Sequence, residues 1–155
     1  MATIVVNSKN VMRTRRQNRI AYFLEGATQS FKAGHVVVLN AGKVVKGASD
    51  PAAGTVLGLA AEDATGITDS KVGVFVGDEG GEFIGNVQDT GALALANVGL
   101  SCGLVLDAVN NIFRVDLGDT TNLQVKVTEL VDAVGDINGL VVFKFLNAAR
   151  VPYAS

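Results

Sequence analysis

The sequence predicts an all-β protein: a small antiparallel β-barrel or β-sandwich with an extended N-terminal arm and at most one short helix. Three observations carry that prediction. Short runs rich in valine, isoleucine, leucine and phenylalanine recur along most of the 155 residues, as a pleated, half-buried surface favours. Glycine, asparagine and aspartate punctuate these runs, with 18 glycines against 2 prolines, and such turns join antiparallel strands. The first 24 residues stand apart, carrying five basic side chains and no acid.

Taken in order, residues 1–19 read as an extended basic arm. Within it Thr3, Ile4, Val5 and Val6 form a small strand-former with nothing local to pair with, suited to joining the sheet edge of a neighbouring chain. From Asn7 to Asn18 large apolar residues are sparse, the pattern of a segment that is disordered or ordered by a partner. A single domain over 20–150 follows, with candidate strands at 20–25, 35–40, 43–46, 56–61, 72–77, 82–87, 104–107, 112–116, 123–132 and 140–146. Residues 151–155 form a C-terminal tail.

The turns are read from residue type. Asn40-Ala41-Gly42-Lys43 is a tight loop between two β-rich runs, and glycine supplies the positive φ it needs. Asp78-Glu79-Gly80-Gly81 links VGVFVG to EFIGN in the same hairpin-like manner. Asn110-Asn111 and the segment 135–139 punctuate the later runs, asparagine tolerating the left-handed region. Leu123, Val125 and Val127 alternate with polar neighbours, which puts one face of that strand in the core and the other in water. Only 90–98, with its alanines and leucines before Asn97 and Gly99, has helical character, for one or two turns at most.

Charge gives the functional signal. Lys9, Arg13, Arg15, Arg16 and Arg19 make the first segment formally +5, while the rest holds 8 basic and 15 acidic side chains, a formal −7. A cationic segment on an anionic body is suited to lie on something acidic. An acidic protein surface fits better than nucleic acid, because a duplex repels the body and no aromatic residue interleaves with the arginines for stacking. The alternative reading is a nucleic-acid-binding accessory protein using the same Arg-rich arm.

Catalytic and metal-binding chemistry finds little support. The single histidine, His35, opens an apolar strand without a second base or a recognisable nucleophile beside it. The single cysteine, Cys102, permits no intrachain disulfide and reads as a small buried residue. Oxygen ligands gather at Asp116, Asp119 and Asn122 and at Asp78, Glu79 and Glu82, but neither group matches a calcium loop. No cofactor motif occurs, so the expectation is a protein that is not an enzyme, with no catalytic, cofactor or metal site. The apolar run at the N-terminus precedes its charges, the reverse of a secretory signal, and no stretch approaches the length of a membrane helix. Synthesis in the cytoplasm and no membrane partner are expected.

Four stretches carry a family resemblance: RIAYFLEGATQSFKAGHVVVLNAGKVV (19–45), GTVLGLAAEDATG (54–66), VGLSCGLVLDAVNNIFRVDLGDTTN (98–122) and LVDAVGDINGLVVFKFL (130–146). In their order and spacing the chain resembles the head decoration, or cement, proteins of tailed bacteriophages. The resemblance implies a small β-barrel or β-sandwich on the outer face of the virion capsid, clamping subunits of the major capsid protein. It further implies a homo-oligomer, with a trimer favoured over a dimer, and an arm (here Ala2 to Arg19) reaching across the lattice.

Overall fold

The computed structural model describes residues 11–15, 18–77, 81–88 and 92–151. Eleven strands run through them: β1 (Arg13–Thr14), β2 (Ile20–Leu24), β3 (Val36–Asn40), β4 (Lys43–Lys46), β5 (Val56–Ala60), β6 (Lys71–Val76), β7 (Phe83–Asn86), β8 (Ser101–Asp107), β9 (Ile112–Asp116), β10 (Val125–Leu130) and β11 (Leu140–Phe145). A 3-10 turn at Leu95–Asn97 is the one helical element among the described residues. The protein is all-β, as predicted, and each of the ten expected strands has its counterpart. Two antiparallel sheets result, ordered β1-β7-β11-β10-β8-β9 and β2-β6-β5-β3-β4.

Both sheets curl. In the five-stranded sheet Glu25, just past β2, bridges to Val44 on β4, and Gly26 N–H donates to the Val44 carbonyl at 2.9 Å. In the other, Val87 bridges to Val115, returning β9 to the end of β7. The core accordingly has two parts. Phe83, Phe113, Phe143, Phe145 and their aliphatic neighbours from both sheets fill the space between the sheets. Phe31, Val37, Val44, Leu57, Val72 and Val74 fill the curl of the five-stranded sheet. Strand β5 belongs to both cores and is buried throughout. A bulge makes this possible: Val37 pairs with Gly58 and Val38 with Val56, leaving Leu57 over, so the alternation flips and Val56 and Leu59 both face the other sheet.

Three of the four expected hairpins form, β3–β4, β8–β9 and β10–β11. In the first, Ala41 and Gly42 take φ of 51° and 79°, the paired positive values of a two-residue turn matched to strand twist. The fourth expectation is corrected. Both edges of β6 are occupied, by β2 and β5, so β7 has no edge to pair with and crosses into the other sheet. Residues 78–80 of that connection lie outside the described residues.

The arm boundary drawn at residue 19 is also corrected. Met12 is 1% exposed in the core between the sheets, and β1 pairs with β7 through Arg13–Ile84 and Thr14–Phe83. Gly34 admits this segment, because a Cβ there would meet the Met12 carbonyl oxygen at 2.6 Å. Asn18 is buried and its amide donates to the Glu82 carbonyl at 2.9 Å. The chain is therefore part of the body from Val11, not from Ile20. A third correction concerns residues 123 and 124. Leu123 is half-buried while Gln124 is fully buried, and a further bulge between Val127 and Glu129 interrupts the expected alternation.

Candidate partner-binding surface

Of the basic and strand-forming residues singled out in the sequence, Thr3, Ile4, Val5, Val6, Lys9 and Arg16 lie outside the described residues. Arg13 and Arg15 do not extend from the body as free-arm residues. Arg13 and Ile84 are register partners, as are Ile84 and Val142, and Val142 and Glu129, so these four share the outer face of the six-stranded sheet. Arg15, two residues on from Arg13, pairs on that face with Glu129 and lies 3.6 Å from Glu82. Arg19 is exposed beside β2, and its carbonyl accepts the Val76 amide at 2.9 Å.

The same outer face carries two lysines that charge counting along the sequence passed over. Lys126 on β10 and Lys144 on β11 are register partners, two ammonium groups directly opposite each other. Neither has an ion pair among the described residues. Like charges in such positions destabilise a sheet by some tenths of a kcal/mol, so the pair carries a cost that an acidic partner relieves. On the part of this face formed by β1, β7, β11 and β10, Arg13, Arg15, Lys126 and Lys144 against Glu82 and Glu129 leave a formal +2, while on the β8–β9 part Asp116 stands opposite Gly103 and Asp119 lies over that glycine. The sequence placed Lys126 on a wet face correctly, but only the β10–β11 register sets it beside Lys144.

The side chains with catalytic potential are occupied. His35 is buried against Phe113, with Nδ1 accepting the Lys32 amide at 3.1 Å and Nε2 donating to the Asn111 carbonyl at 2.8 Å. Burial pushes its pKa below the ordinary histidine value, so the imidazole is neutral near pH 7. It ties β3 to the β8–β9 turn. Cys102 is fully buried, and burial pushes its thiol up to about 12, which leaves it protonated and unreactive. Asp119 accepts hydrogen bonds from Thr121 N–H and Asn122 N–H, and the first of these does most to hold its carboxyl below the usual range. Asp116 similarly accepts Gly118 N–H at 3.1 Å. Among the described residues no group of three or more histidine, cysteine or acidic side chains could hold a metal ion. No helix among them is long and apolar enough to cross a membrane.

Buried polar side chains join the parts of the body, and sequence reasoning missed them. The Gln124 carbonyl accepts Leu104 N–H at 2.8 Å while its amide donates to Asp50 and to the Pro51 carbonyl, each at 2.8 Å. This fastens the six-stranded sheet to the β4–β5 loop of the other. The Glu25 carboxylate receives Thr65 N–H, the Thr65 hydroxyl and Gly66 N–H, holding the loop before β6. Arg114, 2% exposed, donates to the Val87 carbonyl at 2.6 Å and to Asn138, with Asp107 at 3.6 Å. Arg114 interrupts an apolar run and Glu25 ends one, which was the available signal; Gln124 sits in a regular polar–apolar alternation that gave none.

A scan of protein-family models matched none to this chain, and a search of curated proteins found no significant relative.

Proposed function

We propose that this protein is a structural capsid decoration (cement) protein that binds the outer surface of a phage head and stabilises contacts between major capsid protein subunits. The observation that carries the reading is the basic outer face of the six-stranded sheet, where Arg13 and Arg15 join Lys126 and Lys144. A fixed cationic face suits an acidic protein surface. Lys126 and Lys144 supply point charges for its carboxylates, while Arg15 is held against Glu129 and Glu82 of its own chain. The four sequence stretches that resemble the decoration family support the same function. The reading includes a homo-oligomer, with a trimer favoured, located on the virion exterior after synthesis in the host cytoplasm.

Co-sedimentation of the purified protein with expanded, undecorated capsids, beside a duplex DNA control at matched salt, tests this. The expected result is saturable binding at a fixed ratio per capsid subunit. The double variant Lys126→Glu/Lys144→Glu should bind at least about tenfold more weakly, with an unchanged circular dichroism spectrum. Salt-sensitive DNA binding without capsid binding would instead identify the basic face as a phosphate reader. Capsid binding that is indifferent to both lysines would remove the face from the mechanism.

A further inference from the structure

Two exposed apolar surfaces lie apart from the basic face. On the edge strand of the five-stranded sheet, Ile20, Tyr22 and Leu24 all point outward, Tyr22 being 66% exposed. Their register partners on β6 are Phe75, Gly73 and Lys71. Gly73 leaves a gap that these side chains cover, since a Cβ there would sit 3.3 Å from Tyr22 Cε1 and 3.4 Å from Ile20 Cγ2. Beyond Phe75 the surface continues into an open, mainly apolar groove of roughly 420 Å³ between Val11 and Ala61.

The second surface is at the β10–β11 turn. Leu93 N–H donates to the Asp136 carbonyl at 2.9 Å and Gly135 N–H to the Leu93 carbonyl at 2.7 Å, which binds the turn to the segment of the 3-10 helix. Together they display Leu95, 76% exposed, and Ile137, 62% exposed, with Val98, Val131 and Val134. An apolar stripe along an edge strand and a cluster of five at a turn are the kind of surface that soluble chains keep covered.

The charges at the two surfaces are opposite. Lys71 closes one end of the β2 surface and has no ion pair among the described residues; Arg19 precedes the other end, and Glu62, which accepts Gly73 N–H at 2.9 Å, stands at the margin. Residues 131–139 of the β10–β11 turn hold Asp132 and Asp136 and no base. Pairing either surface with itself brings like charges together. Pairing one with the other sets Lys71 near Asp132 and Asp136 and covers both apolar areas.

We propose that these surfaces are the two halves of one heterologous interface, the β2 face of one copy seating on the β10–β11 turn of the next. Such a contact repeats head to tail and closes into a ring when its rotation permits. The inference concerns the free protein and stands whether or not the partner is a capsid.

Sedimentation velocity on the full chain and on the variants Tyr22→Asp and Ile137→Asp, alone and mixed, provides the test. The wild-type chain should be oligomeric, and each variant should self-associate at least about tenfold more weakly. Mixed in equal amounts they should form a one-to-one dimer, because each supplies the half that the other lacks. Leu95→Asp, at a still more exposed position, should behave as Ile137→Asp does and guards against a folding defect. A wild-type chain that stays monomeric to about 100 µM overturns the proposal. So does one variant that leaves assembly intact, or a mixture that stays monomeric.

Discussion

Replacing Met12 with alanine tests whether the chain enters the body before residue 20. Met12 is almost wholly buried, and its side chain lies over Gly85 beside Phe143: a Cβ on Gly85 would come 3.0 Å from Met12 Cγ and 3.1 Å from Phe143 Cε1. The substitution removes three heavy atoms from that position. Burying a side chain of this size contributes about 1.5–3 kcal/mol, and the cavity it leaves adds to the loss. Gly85 has no side chain to refill the space. We expect a loss of about 3 kcal/mol. For a chain of 155 residues that lowers the midpoint of thermal unfolding by roughly 6–12 °C. Gly85→Ala alone should cost about 1–3 kcal/mol by overpacking against Met12, and much less once Met12 is alanine. Urea unfolding of the two single variants and the double variant closes the cycle, with an expected coupling of about 1 kcal/mol or more. A Met12→Ala loss below about 1 kcal/mol, or additivity within about 0.5 kcal/mol, would refute the packing described here.

Two further outcomes follow from the buried polar groups. Gln124→Leu keeps the volume but strands the Leu104 amide, the Pro51 carbonyl keeping the Asn122 amide at 3.1 Å, so its urea midpoint should correspond to a loss of about 1–3 kcal/mol, whereas Asp50→Asn, which suits the exposed position's φ of 60°, should lose less than about 1 kcal/mol. Equal losses would show that Gln124 does not fasten the two sheets. His35 has its pKa lowered by burial, so the unfolded chain binds more protons than the folded one between the folded value and about 6.5. Its contribution is fully present above about 6.5 and is lost as pH falls through the folded value. His35→Gln should flatten the stability profile between about pH 7 and 5, and parallel wild-type and variant profiles would contradict a neutral histidine between Lys32 and Asn111.

The strands were legible because their signal is local. β-Branched and aromatic residues bounded by glycine or asparagine mark β3, β4, β8, β9 and β11 without knowledge of any partner. What the sequence concealed depends on pairing at a distance. Whether residues 78–81 form a hairpin depends on whether β6 has a free edge, and β2 and β5 occupy both. The segment 11–15 contains one apolar anchor, Met12, too few for a periodicity, yet β7 offers it an edge and the core a place. Charge counting assigned Arg15 to a foreign acid, although its partner Glu129 is 114 positions along the same chain. Gln124 and Arg114 entered the core because specific carbonyls and amides await them there, which no residue scale records.

These displacements alter how attachment would work. The five basic residues counted together divide unevenly, since only Lys9 precedes Val11 and the cluster at 13–19 begins on the sheet edge. One exposed ion pair contributes at most about 1 kcal/mol. On the folded face Lys126 and Lys144 are held side by side by the β10–β11 ladder, so their charges act together. A formal +2 on that part of the face is still weak for a single copy in salt. Joining copies through the β2 face and the β10–β11 turn multiplies that face at fixed spacing, and a second contact then forms at high effective concentration. On this account a Tyr22→Asp chain with its basic face intact should bind capsids far more weakly than the wild type, because multivalency is lost while each contact is preserved. If that monomeric variant bound as tightly as the oligomer, a single copy would suffice and the attraction would have to lie elsewhere on the chain.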